Sequence, residues 1–209
     1  MNERFDHADE IRDYVPLMLD NCSVYQFGVC TGSTLKRALN IIYDMKKPVK
    51  KVYGFDSWLG LPNTIDKEWF AHDWYPGSFS ALREYKVNSV EELMPKLKEY
   101  IGYDVEFVSG WFIDTLNDEN YEKFEMSQAS YIDIDVDIHS STKQVLDFCV
   151  QHKIIDVGTI IRYDDWLSGQ GLVGNRKAHI EMLQEYDIIF ESLSWNMFKC
   201  THNNSKVKK

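Results

Sequence analysis

Short apolar runs alternate with amphipathic stretches along the whole chain, and that alternation restricts the fold more than any other feature. Strand-like runs lie at residues 22–28, 51–55, 105–108, 129–136 and 157–163. Helical spacing is visible at 8–20, from Ser33 onward, at 90–101, just after Trp111, at 140–150 and at 176–184. In the stretch after Ser33, Leu35, Ala38, Leu39 and Ile42 recur three and four apart and make one apolar face. The segment IIFESLSWNMFKC at 188–200 reads as two strands meeting near 193–196. Five β-α units followed by a strand pair predict an α/β fold with a mostly parallel sheet covered on both faces. Ligands in such sheets bind at the carboxyl ends of the strands. One domain over residues 1–209 is expected, with an N-terminal helix within 1–20 and a frayed polar tail at 202–209.

Composition excludes several function classes. The 33 acids outnumber the 23 bases, a net charge of −10. This argues against binding nucleic acid by phosphate neutralisation and against a polybasic membrane surface. No apolar run approaches the ~18 residues of a membrane span. The start, MNERFDHADE, lacks a basic stretch before an apolar one, so no secretory signal is expected. Cys22, Cys30, Cys149 and Cys200 are scattered with no CxxC pair, which disfavours a zinc site or disulfide framework and points to a reduced, cytoplasmic protein.

Two clusters carry candidate chemistry. The first is the turn Gln26-Phe27-Gly28-Val29-Cys30-Thr31-Gly32-Ser33 between the first strand and its helix. Its glycines permit a tight turn and close approach of a ligand, and the helix start offers free N–H groups. It is GxxxG rather than the GxGxxG of dinucleotide sites, so a plain strand-to-helix turn is equally compatible. Asp56, at the end of the second strand, lies 24 residues beyond Gly32, near the spacing of about 20 at which an acid accepts ribose hydroxyls. Its alternative role is a cap or turn residue. Together the pair suggests a nucleoside-containing cofactor.

The second cluster is acidic. Asp133, Asp135 and Asp137 recur at period two, and Asp164 and Asp165 follow the fifth strand. Carboxylates gathered at one rim repel one another and call for a cation, protons or a Lys or Arg. A hard cation such as magnesium suits an all-oxygen set, while exposed acidic loops are the bland alternative. The charge excess is local. Residues 104–165 hold 14 acids against Lys123, Lys143, Lys153 and Arg162, and the rest of the chain balances. His139, beside the cluster, is either a base or substrate donor, or a histidine at a helix entry before Ser140-Ser141-Thr142. Residues 57–88 are too long for an ordinary connection and carry Trp58, Trp69, Phe70, His72, Trp74, Tyr75 and Phe79, so a lid or substrate loop is expected. Within it, Trp58 and Phe79 are expected to be core residues.

The segments YQFGVCTGST, VYGFDSWLGLP, FVSGWFIDTL, IDVDIHSST and IIRYDDW occur in one order over about residues 22–170. In that order they resemble the class I S-adenosylmethionine-dependent methyltransferases, and specifically the macrocin O-methyltransferase (TylF/MycF-type) group. KAHIE at 177–181 is similar too. The resemblance implies a Rossmann-like, seven-stranded sheet with a C-terminal antiparallel pair. It implies S-adenosyl-L-methionine as cofactor, Mg2+ as metal and a sugar or natural-product hydroxyl as methyl acceptor, with self-association possible.

By the same resemblance, Gly28 and Gly32 let the backbone approach the methionine part, with Thr31 and Ser33 nearby. Asp56 binds the ribose, with Ser57 beside it. Ser109, Gly110, Trp111 and Phe112 border the adenine. Asp135, Asp164 and Asp165 are magnesium ligands and Asp137 is the general base. Asp133 is extra and is expected to line the cofactor pocket. Gln26 stands where the family commonly has an acid that contacts the cofactor, and His139 replaces a usual tyrosine near the acceptor. Two other readings remain at this stage: a metal-dependent phosphohydrolase, and an S-adenosylmethionine-binding protein without catalysis.

Overall fold

The computed structural model describes residues 7–63, 74–168 and 171–206. Part of the expected lid, residues 64–73 with Trp69, Phe70 and His72, lies outside the described residues. The alternation seen in the sequence becomes β1 (Cys22–Phe27), α1 (Ser33–Asp44), β2 (Val49–Asp56), α2 (Ala81–Glu84), α3 (Val90–Ile101) and β3 (Glu106–Ser109). It continues through α4 (Phe112–Thr115), α5 (Asp118–Lys123), β4 (Ala129–Ile134), α6 (His139–Gln151), β5 (Ile160–Tyr163), α7 (Gly174–Glu185), β6 (Ile188–Ser192) and β7 (Met197–Asn203).

The strands form one sheet in the order β3-β2-β1-β4-β5-β7-β6. The first five are parallel, and β7 runs antiparallel to both β5 and β6. The chain builds outward from β1 to β3 and then returns to place β4 on the other side of β1. That reversal opens a crevice at the carboxyl ends of β1 and β4, the usual ligand position in such sheets.

The period of two divides each strand between two cores. Tyr25 and Phe27 of β1 stack on Tyr53 and Phe55 of β2, with ring centroids 4.6 and 4.9 Å apart, on the face covered by α6 and α7. Val24, Val52, Tyr131 and Ile160 face the other way, against Leu35, Leu39 and Ile42 of α1 and Leu93, Leu97 and Ile101 of α3. Burying each such side chain contributes about 1.5–3 kcal/mol, so both faces fix the strand register. Caps set the helix limits. Ser89 accepts from the Glu92 N–H at the start of α3, and Gly102 (φ 75°) ends it.

Both ends of the chain differ from expectation. Residues 8–20 form no continuous α-helix; two 3-10 helices, His7–Asp13 and Val15–Leu17, take their place. Pro16 bars a continuous α-helix through this stretch, because it has no N–H to offer a carbonyl one turn back. At the other end, β7 extends into the expected tail. Asn203 is buried, donates to the Ile155 carbonyl at 2.7 Å and accepts from the Ser205 N–H at 2.9 Å. No described helix is long and apolar enough to cross a membrane.

Candidate active site

A cavity of about 590 Å³ opens at the carboxyl ends of β1 to β5. The β1 turn supplies Gly28, Val29, Cys30, Thr31, Ser33 and Thr34; the end of β2 supplies Asp56, Ser57, Gly60, Leu61 and Pro62. The β3 end adds Gly110, Trp111, Phe112 and Ile113. The ends of β4 and β5 add Asp135, Val136, Asp137, Asp164 and Asp165, and α6 adds Ser141 and Gln144. Trp74 and Phe79 close one side.

Why this turn needs its glycine is visible in the contacts. Gly28 has φ +82°, and a Cβ there would lie 1.8 Å from the Asp135 carbonyl oxygen. The β1 turn therefore crosses directly against the end of β4, which only glycine permits. Gly32, in left-handed backbone at the start of α1, serves packing instead, since a Cβ would meet Leu97 and Ile101 of α3 at 2.8–2.9 Å. Asp56 ties two loops together. Its Oδ2 accepts the Val29 and Cys30 N–H groups, both at 2.8 Å, and its Oδ1 accepts the Trp58 N–H at 2.6 Å. Burial raises its pKa and those backbone bonds oppose the rise. Turn residue and ligand acid are thus compatible roles for one side chain.

On the other half of the crevice, Asp135, Asp164 and Asp165 each place a carboxylate oxygen within 4.8 Å of the others. Asp137 stands beside them in left-handed backbone, φ 60°, and its carboxyl hydrogen-bonds Asp165. Such backbone is costly for a non-glycine residue and is typical of functional turns. Burial, then the neighbouring carboxylates, pushes Asp135 and Asp137 well above the ordinary carboxylate range, and Asp165 up to about 6. Asp165 Oδ2 is buried and has no hydrogen-bond partner among the described residues. Three converging carboxylates with an orphaned buried oxygen are the donor set a small hard cation would satisfy.

Most of the expected site residues meet here: Gly28, Thr31, Ser33, Asp56, Ser57, Gly110, Trp111, Phe112, Asp135, Asp137, Asp164 and Asp165 all line the cavity. Five do not. Gln26 is buried beneath the turn and donates to the Gly28 carbonyl at 3.0 Å. Gly32 packs on α3 as described. Ser109 accepts the Trp58 indole N–H at 2.7 Å. Asp133 does not reach the cavity; it is buried and takes a hydrogen bond from Arg162 Nη1 at 2.7 Å. His139 pairs with Glu181 of α7 at 2.7 Å.

Trp58 is a core residue as expected, fully buried and edge-on to Phe107. Phe79 is not: it is 46% exposed, has φ 61° and lines the cavity. Sequence reasoning passed over Ser141, Gln144 and Ile113. The first two are three residues apart in the first two turns of α6, and that spacing puts them on one face of the helix, the cavity side. Arg162 was also missed as a partner of the acids, though acids recruiting an arginine was the expectation for such a cluster.

Residues 8–193 match the family described as Macrocin-O-methyltransferase (TylF). The chain belongs to that family. It is therefore an S-adenosylmethionine-dependent O-methyltransferase, and the phosphohydrolase reading falls away. Solved structures share the fold of this TylF-family chain at low identity. The O-methyltransferase NovP is 19% identical with a TM-score of 0.57, over 95% of this chain and 80% of that one. CalS11, a calicheamicin methyltransferase, is 18% identical with a TM-score of 0.65, over 94% of this chain and 80% of that one. The apo-structure of CmcI is 12% identical with a TM-score of 0.52, over 97% and 73%. No curated protein sequence matches the chain.

Proposed function

We propose that this TylF-family enzyme methylates a hydroxyl of a sugar or other small natural product, with Mg2+ held by Asp135, Asp164 and Asp165. One observation carries the reading: the glycine turn with Asp56, and the three converging carboxylates, face each other across one cavity. NovP is an O-methyltransferase and CalS11 a calicheamicin methyltransferase, which supports a small-molecule acceptor.

S-adenosylmethionine would supply the electrophilic methyl group, and the protein supplies placement and charge. The turn at Gly28 would admit its methionine part close to the backbone. Asp56 would accept from the ribose, with Ser57 adjacent, and Gly110, Trp111 and Phe112 would flank the adenine. A cation at the three carboxylates would hold the acceptor hydroxyl and lower its pKa. Asp137, on the same rim, would accept the hydroxyl proton as the oxygen takes the methyl group. The sheet fixes the two halves relative to each other, which would keep cofactor and acceptor within reach of one another.

The test has two arms. Calorimetry with S-adenosylhomocysteine is expected to show one site, lost in Asp56→Ala. Turnover on a panel of hydroxylated natural-product acceptors is expected with Mg2+ and not with EDTA. Equal turnover in both conditions removes the cation from the reaction, and absent cofactor binding removes the cradle.

A further inference from the structure

Beneath the acidic rim lies a buried ion pair that the reaction as proposed leaves unused. Asp133 and Arg162 are direct neighbours in the parallel register of β4 and β5. Both are about 2% exposed. The guanidinium is split between two carboxylates: Nη1 donates to Asp133 Oδ1 at 2.7 Å and Nη2 to Asp164 Oδ1 at 2.6 Å. The pair is not an efficient stabiliser, because Arg162 Nε and Asp133 Oδ2 are buried without hydrogen-bond partners among the described residues.

We propose that Arg162, anchored by Asp133, is the positioning residue for the cation ligand Asp164. This rests on the cation reading above. Asp164 follows β5 by one residue, and its side chain is 38% exposed, so little packing restrains it. The arginine fork is planar and rigid, and a carboxylate bonded to it is fixed in rotation as well as position. Held through Oδ1 by the guanidinium, Asp164 keeps its other oxygen for the cation. Asp133 balances the guanidinium charge, so the hold on Asp164 does not cancel the negative charge that the cation needs. Hydrogen bonds of this kind behind a metal-ligating carboxylate commonly matter 10–100-fold in metal affinity, an order-of-magnitude figure.

The test uses the full chain and Mn2+, read by electron paramagnetic resonance without cofactor or acceptor. The double variant Asp133→Leu/Arg162→Met replaces the pair by apolar groups of similar reach, leaves no charge buried alone and is expected to fold. It is expected to bind Mn2+ at least about 10-fold more weakly, with S-adenosylhomocysteine affinity unchanged by calorimetry. Excess metal is expected to restore turnover, since ligand placement and not the chemistry is lost. Arg162→Lys is the second variant. It keeps the buried charge without the planar fork and is expected to weaken Mn2+ binding in the same direction. Mn2+ affinity within twofold of the unaltered chain in the folded variants overturns the role. An unaltered chain that binds no Mn2+ overturns the cation reading itself, and this role with it.

Discussion

Gly28→Ala separates two costs that a glycine turn usually confounds. Gly28 and Gly102 have nearly the same backbone, φ +82° and +75°. A Cβ at Gly102 meets nothing within 4 Å, whereas one at Gly28 falls 1.8 Å from the Asp135 carbonyl oxygen. Gly102→Ala therefore measures the left-handed penalty alone, about 1 kcal/mol. In Gly28→Ala the oxygen and the Cβ must part by more than 1 Å to reach the 3.0 Å limit of real contacts. Neither partner is a flexible side-chain end, so overpacking adds about 1–3 kcal/mol. For a domain of this size 1 kcal/mol moves the melting temperature by roughly 2–4 °C. Scanning calorimetry is thus expected to show a fall of about 3 °C for Gly102→Ala and about 10 °C for Gly28→Ala. Because the turn pushes on Asp135, Gly28→Ala is also expected to weaken both S-adenosylhomocysteine and Mn2+ binding, and Gly102→Ala neither. Equal melting shifts, or unchanged ligand affinities in Gly28→Ala, would refute the close-approach argument.

Three further outcomes are expected. Asp165→Asn turns one of the three converging carboxylates into a neutral amide and is expected to lower turnover on the order of 100-fold. S-adenosylhomocysteine affinity, measured by calorimetry on the same variant, should hold. Asp56→Ala orphans the Val29, Cys30 and Trp58 N–H groups, so urea unfolding is expected to show a loss of about 2–4 kcal/mol along with lost cofactor affinity. His179 is buried among Tyr163, Trp166, Phe190 and Phe198, and burial lowers its pKa from 6.5 to about 4. The unfolded chain binds that proton first, so stability present above pH 6.5 declines as pH falls toward 4, by about 3 kcal/mol in all. Asp135, Asp137 and Asp165, whose pKa values are raised, act in the opposite sense over the same range, so the check is the difference in urea midpoint between the unaltered chain and His179→Phe from pH 7.5 to 4, which is expected to shrink as pH falls.

What the sequence disclosed follows from the range of each interaction. The strands, α1 and α3 were readable because apolar spacing and caps are local, and the strand ends with Asp56, Asp135, Asp164 and Asp165 came with them. The acidic charge is localised by the sequence alone, since that needs only counting. The helix expected at 8–20 rests on the apolar spacing of Ile11, Tyr14, Val15 and Leu19, and that spacing takes no account of Pro16 within it. Side-chain pairings between strands were another matter. Asp133 looked like one more acid on the ligand rim, and only the register of β4 on β5 places Arg162 opposite it. Phe79 is similar: its left-handed backbone turns the ring to the cavity, and nothing in an aromatic's identity reports its φ. Gln26 reads as a polar cofactor contact in the sequence, yet its amide faces its own turn.

The Asp56 carboxylate sets a limit on how the enzyme can hold a nucleoside. A carboxylate has about four lone-pair directions. Val29, Cys30 and Trp58 take three, and the Ser57 N–H also faces the group. At most one direction is left for two ribose hydroxyls. One hydroxyl must find another acceptor, or a loop N–H must yield its place as the ligand enters. The 2′-deoxy and 3′-deoxy forms of S-adenosylhomocysteine should then differ in affinity, and the tighter one identifies which hydroxyl the acid can spare a lone pair for.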